Sequence, residues 1–82
     1  MINVLYFAWL RERIGSSSEQ IETQANTVAD LVEELKTRSP AHALAFSDMA
    51  SVRVAVDQDL TEMTASLQGV REVAFFPPMT GG

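Results

Sequence analysis

The sequence predicts an α+β fold in which one main helix packs on one face of a mixed sheet of four to five strands. Three observations predict it. One stretch, Val28 to Lys36, carries a clear helical apolar stripe. Apolar runs with two-residue alternation stand on both sides of it. The length, 82 residues, suffices for one modest core. A chain this short buries only about 60% of the surface that its unfolded form exposes, so a deep catalytic cleft built by this chain alone is not expected.

The elements follow in order. Ile2 to Ala8 is rich in β-branched and aromatic residues, which suit a strand. Alternation sets Ile2, Val4 and Tyr6 on one face and Asn3, Leu5 and Phe7 on the other. Both faces carry apolar groups, so the strand is central in its sheet or its second face meets something else. Trp9 to Ile14 fits a short helical turn, and Gly15-Ser16-Ser17-Ser18 marks a turn. Glu19 to Gln24 alternates weakly around Ile21 and reads as a strand hairpinned to the first.

Thr27 is a good N-cap, with Asp30 in a capping-box-like position. Val28, Leu31, Val32 and Leu35 then fall on one helical stripe, and Glu33, Glu34 and Lys36 face away. Ser39-Pro40 closes this helix, because proline pushes the residue before it out of helical geometry. His42 to Phe46 fits another short turn. Val52, Val54 and Val56 alternate with Arg53, Ala55 and Asp57 as in a half-buried strand. Asp57-Gln58-Asp59 reads as a turn, and Leu60 to Leu67 as a short strand plus a loop. Gln68-Gly69 is a turn, and Glu72 to Phe76 is the last strand, with Val73 and Phe75 on one face and Ala74 and Phe76 on the other.

One long helix among several strands places the helix on one sheet face. The first and last strands are the most apolar, which puts them side by side in the centre. That is the β-grasp, or ubiquitin-like, arrangement, with a domain over 1–76 and an extended tail over 77–82.

Composition narrows the function. The formal net charge is −5, and the six basic residues (Arg11, Arg13, Lys36, Arg38, Arg53 and Arg71) do not cluster. Nucleic-acid binding needs a basic patch that displaces counterions, so no nucleic-acid partner is expected. No apolar run approaches the ~20 residues of a membrane span, and Met1 to Ala8 lacks the basic leader and cleavage site of a signal peptide. A cytoplasmic protein with no membrane partner is the expectation. The chain has no cysteine, which excludes disulfides, thiolate zinc sites and a cysteine nucleophile. Asp57, Asp59 and Glu62 lack the regular spacing and central glycine of a calcium loop, and His42 is the only histidine. No metal site is expected.

The most informative stretch is Phe75-Phe76-Pro77-Pro78-Met79-Thr80-Gly81-Gly82. Pro77 and Pro78 have no backbone N–H, so the strand ladder stops there, and they favour an extended polyproline conformation. Six extended residues from Pro77 reach roughly 20 Å, far enough to enter a partner's active site. Gly81 and Gly82 lack Cβ atoms, so a narrow channel admits their backbone and nothing crowds the final carboxyl group. That carboxylate is ionised at neutral pH and is a poor electrophile. It accepts sulfur only after activation, most simply as an acyl-adenylate made from ATP. A chain without cysteine cannot hold sulfur as its own persulfide; if it carries sulfur, the C-terminal acyl group is the place for it.

These residues resemble one family over essentially the whole chain: the small subunit of molybdopterin synthase. The most specific part runs from Glu72 through Phe75-Phe76-Pro77-Pro78 to Gly81-Gly82; Val4-Leu5-Tyr6-Phe7-Ala8 with Arg11-Glu12, and Val56-Asp57-Gln58, also fit. Ser16 to Gln24 and His42 to Ser51 match only loosely, which bears on partner choice and not on mechanism. The resemblance implies that a ubiquitin-activating-type adenylyltransferase activates Gly82 with ATP and that a desulfurase system supplies sulfur indirectly. It also implies that the thiocarboxylated tail enters the large synthase subunit, where a cyclic pyranopterin receives sulfur to form the molybdopterin dithiolene. The working complex is then a heterotetramer, with the pterin site in the large subunit and no cofactor bound by this chain.

By position, the resemblance makes Gly82 the reacting residue and Gly81 its required neighbour. Phe7, Leu60 and Phe76 become the docking surface, and Pro77, Pro78, Met79 and Thr80 the partner-facing tail. Two other carrier readings stand beside this one, a thiamine-type sulfur carrier and a ubiquitin-like protein modifier. The Phe-Pro-Pro tail argues against the thiamine type. A plain interaction domain with an incidental tail is the reading from a different class, and deletion of Gly82 separates it from the carriers.

Overall fold

A computed structural model describes residues 1–78. Its elements are β1 (Ile2–Tyr6), α1 (Trp9–Ile14), β2 (Ser18–Ile21), α2 (Val28–Lys36), α3 (Pro40–Ala45), a 3-10 turn at Met49–Ser51, β3 (Arg53–Val56), β4 (Asp59–Thr61) and β5 (Glu72–Phe76). Among the described residues the five strands form one sheet in the order β2-β1-β5-β3-β4. β1 and β5 run parallel at its heart, and the other pairs are antiparallel. The two most apolar strands are therefore neighbours, as their two-sided composition requires.

Register separates the two faces. Ile2, Val4 and Tyr6 of β1 point inward with Val73 and Phe75 of β5 and Val54 of β3, all buried. The α2 stripe of Val28, Leu31, Val32 and Leu35 packs with them in one core, joined by Leu10 of α1 and by Ala45 and Phe46 at the end of α3. Phe75 lies at the centre of an aromatic cluster. It stacks near Tyr6 at 6.4 Å and meets Phe46 edge-on at 5.0 Å between ring centroids.

Local chemistry sets the helix ends. Thr27 caps α2, its hydroxyl accepting the Asp30 N–H at 3.2 Å, a contact worth ~1 kcal/mol. The free N–H groups of Val28 and Ala29 donate to the carbonyls of Ala65 and Met63. These bonds, with buried Leu67, explain why the residues after β4 form an anchored loop instead of a longer strand.

Pro40 acts differently from the sequence expectation. α2 has already ended at Lys36, and Pro40 opens α3 with Ser39 as its N-cap. Proline suits the first helical turn because its missing N–H has no partner there. β2 is also shorter than the Glu19–Gln24 run. Thr23 leaves the ladder: its hydroxyl accepts the Ala25 N–H and donates to Glu34. The β3–β4 turn centres on Asp57 and Gln58, both with positive φ, the geometry of a two-residue hairpin. Asp57 also accepts the N–H groups of Arg71 and Glu72, which accounts for it as a structural turn residue.

Candidate functional site

The strand registers define a second, outward face. Leu5 lies opposite Ala74, Ala74 opposite Ala55, and Ala55 opposite Leu60, so all four share one row. Two residues further along, Phe76 lies opposite Arg53. Phe7 joins the same row from β1, its N–H donating to the Phe75 carbonyl at 3.1 Å. Toward the other end of the sheet, the same face carries Gln20, Asn3 and Glu72. The outer face thus carries its apolar side chains, with Arg53 beside Phe76, toward the end where β5 runs out into Pro77, and polar ones at the opposite end.

The structure brings the three expected docking residues onto this face. Phe7 is 46% exposed and Leu60 is 73% exposed; Phe76, Pro77 and Pro78 are half-buried. Exposed Phe7 and Leu60 with half-buried Phe76 on one face make an apolar patch of the kind an interface uses. Leu5, Ala55 and Ala74 belong to the same surface but were not singled out from sequence. Only the strand register discloses that they fall in line with Leu60. Ala74 is nearly hidden there because it is small and lies on the central strand. Met79, Thr80, Gly81 and Gly82, the remaining tail positions of interest, lie outside the described residues.

Sequence reasoning also missed a polar cluster on the inner side. Glu19 pairs with Val4 across the β1–β2 hairpin, so its register turns it inward. Its carboxylate accepts the Tyr6 hydroxyl at 2.7 Å and the buried His42 Nε2–H at 2.7 Å. His42 Nδ1 lies 2.7 Å from the Ser39 hydroxyl, and Arg38 reaches the second Glu19 oxygen at 3.5 Å. An inward charge on an edge strand also discourages edge-to-edge pairing with another chain. The cluster ties both strands of the hairpin to α3 and lies on the inner side of the sheet, opposite the face that carries Phe7, Leu60 and Phe76. We assign it to the fold, not to the chemistry. The available signal was alternation, which puts Glu19 on the same face as Ile21; its partners Tyr6 and His42 became readable only once the pairing was known.

Burial pushes the Glu19 carboxyl up, but the hydrogen bonds from His42 and Tyr6 and the attraction of His42 and Arg38 outweigh it, so its pKa is held below the ordinary 4.5. Burial, then the bond to Glu19, pushes the Tyr6 phenol up, and it remains a donor. A carboxylate whose folded pKa is depressed stabilises the fold above its unfolded value. That contribution is lost as pH falls through the folded value. Urea unfolding from pH 7 down to pH ~3 is expected to show a steeper acid loss of stability in the wild type than in Glu19→Gln. Parallel acid limbs would remove this role.

Among the described residues, no group of three or more His, Cys, Asp or Glu side chains could hold a metal ion. No helix among them is long and apolar enough to cross a membrane.

A five-stranded mixed sheet holding one main helix, with parallel central strands and a strand that runs straight out into a proline pair, defines a β-grasp protein. The chain belongs to the ThiS family, which it matches over residues 4–82. It is 38% identical over 82 residues to the molybdopterin synthase sulfur carrier subunit of Haemophilus influenzae and 39% identical to that of Escherichia coli, with 100% of each chain covered in both cases. Among solved structures, a putative molybdopterin converting factor subunit 1 from Pyrococcus furiosus matches with a TM-score of 0.73 and 28% identity, covering 95% of this chain and 97% of that one. SAMP1 from Haloferax volcanii matches with a TM-score of 0.74 at 23% identity, covering 99% and 98%, a likeness of fold.

Proposed function

We propose that this chain is the sulfur carrier subunit of a molybdopterin synthase and that Gly82 carries the sulfur as a C-terminal thiocarboxylate. The observation that carries the reading is the coincidence of two features at one end of the sheet. The apolar outer face and the exit of β5 into Pro77-Pro78 lie together, so a partner that seats the face receives whatever follows the prolines. End-to-end similarity to sulfur carrier subunits supports it.

The chemistry balances on one carbonyl. A partner adenylyltransferase lets a Gly82 carboxylate oxygen attack the α-phosphate of ATP, and pyrophosphate leaves. Hydrosulfide then adds to the acyl carbon, and AMP departs with one of the original carboxylate oxygens. The thiocarboxylate is delivered to the large synthase subunit, where its sulfur forms a bond to a side-chain carbon of the pterin while that carbon's bond to oxygen breaks and the oxygen group departs. Hydrolysis of the resulting acyl link restores the carboxylate. ATP belongs to the activating enzyme. This chain contributes the acyl group, the reach of the tail, and the Phe7, Leu60 and Phe76 surface that orients it. The main domain over 1–76 is the handle and 77–82 the working arm, a division that suits an activity placed in the cytoplasm beside its enzymes.

Incubation with an adenylating partner, ATP and a sulfide source is expected to exchange one C-terminal oxygen for sulfur, read by intact-mass spectrometry. An unchanged mass under conditions that convert a known carrier would remove the proposal.

A further inference from the structure

We propose that Met49 and Met63 form an oxidation-sensitive pair, whose conversion to sulfoxides by a hydroperoxide loosens the seat of α2 against the β3–β4 edge of the sheet. Nothing in this site depends on the carrier reading.

The two methionines share one place in the fold. Met49 opens the 3-10 turn before β3, and Met63 follows β4 by two residues. Both are half-buried and pack against the core. Together they line a groove of about 300 Å³ with Ala29, Val32, Glu33 and Lys36 of α2. They also line a second groove, of about 250 Å³, with Val52, Val54 and Thr61. The pair is common to the two grooves, one toward the helix and one toward the strands. Both grooves open to solvent, so a small oxidant has a route to side chains that are otherwise packed. The chain has no cysteine, which leaves thioethers as its oxidisable sulfur.

In the reaction a thioether lone pair attacks the outer oxygen of the hydroperoxide, and the O–O bond breaks. Sulfur is oxidised to the sulfoxide. The peroxide is reduced to water or an alcohol, its departing oxygen taking up the proton. A flexible apolar side chain thereby becomes polar. The new oxygen calls for a hydrogen-bond donor, and the cations beside the grooves are engaged. Lys36 pairs with Glu33 at 3.2 Å, and Arg53 donates to the Ala50 and Val52 carbonyls. A polar group without a partner in a packed site costs stability. The cost spreads from Met63, whose carbonyl accepts the Ala29 N–H at 2.8 Å, while the Ala65 carbonyl accepts that of Val28 at 3.0 Å. Those two bonds seat the first turn of α2.

The test adds hydrogen peroxide to the folded full-length chain, locates sulfoxides by peptide mapping and follows thermal unfolding. Oxidation at Met49 and Met63 is expected to lower the thermal midpoint by roughly 5–10 °C. Methionine sulfoxide reductases of both epimer specificities are expected to restore it. Met1, 79% exposed, is the internal control, and its sulfoxide is expected to leave the midpoint unchanged. The Met49→Leu/Met63→Leu variant, a swap of similar volume, is expected to melt near the wild type and to keep its midpoint under peroxide. Three results overturn the proposal: Met49 and Met63 stay reduced while Met1 is converted, the oxidised wild type melts as before, or peroxide destabilises the double variant as much as the wild type. Should the double variant fail to fold, the reductase arm decides, and a midpoint that does not recover when the two sulfoxides are reduced overturns it.

Discussion

Deletion of Gly82 is expected to abolish sulfur transfer, by ~10³-fold or more, while the melting temperature stays at the wild-type value. The shortened chain still offers a carboxylate on a glycine, so the loss tests reach and not merely functional-group identity. One residue of extended chain is worth about 3.5 Å. Reacting atoms must approach to about 3–3.5 Å in alignment, and a misplacement of only ~1 Å already costs on the order of a hundredfold. Withdrawing the acyl carbon by a whole residue removes it from both the adenylating site and the pterin site. The folded body is expected to be indifferent, because among the described residues the buried core ends at Phe75. Single-turnover sulfur transfer in a reconstituted synthase, together with a thermal melt, checks both halves. A truncated chain that still transfers sulfur at the wild-type rate, or one extended by a bulky residue that does so, would return the tail to an incidental role.

The second large effect divides two adjacent phenylalanines. Phe75→Ala is expected to destabilise the domain by about 3–5 kcal/mol, a large share of the roughly 5–15 kcal/mol that holds a domain folded. Phe75 is fully buried and meets both Tyr6 and Phe46, so its loss leaves a cavity that a small core cannot close. Phe76→Ala is expected to fold normally and to weaken docking of the large subunit about 30-fold, the ratio that a hot-spot loss of about 2 kcal/mol implies. One residue along a strand reverses the face, and with it the consequence of the same substitution. Urea denaturation and calorimetric titration of both variants measure the contrast. A soluble Phe76→Ala protein that binds as the wild type does would remove the docking assignment, and a Phe75→Ala protein of native stability would remove the packing account.

Acidification and the Glu19 cluster bear on neither of these effects. They concern how the β1–β2 hairpin is held to α3. The distinction matters for interpreting variants, because a lesion at His42 or Tyr6 would lower the amount of folded carrier without altering its chemistry.

Much of this protein was determined by its sequence alone, because the deciding interactions are local. The stripe of Val28, Leu31, Val32 and Leu35 behind Thr27 specifies α2 through helical period and capping. Alternation specifies β1 and the Glu72–Phe76 strand, and their double-sided apolarity places them in the centre of the sheet. The proline pair ends a strand for want of N–H donors wherever it occurs. What only the tertiary structure decided depends on pairing between distant segments. Register aligned Leu60 with Ala55, Ala74 and Leu5, and turned Glu19 toward Tyr6 and His42. A one-residue shift in any of those pairings would move a side chain to the opposite face, and local preference carries no record of which register the core selects.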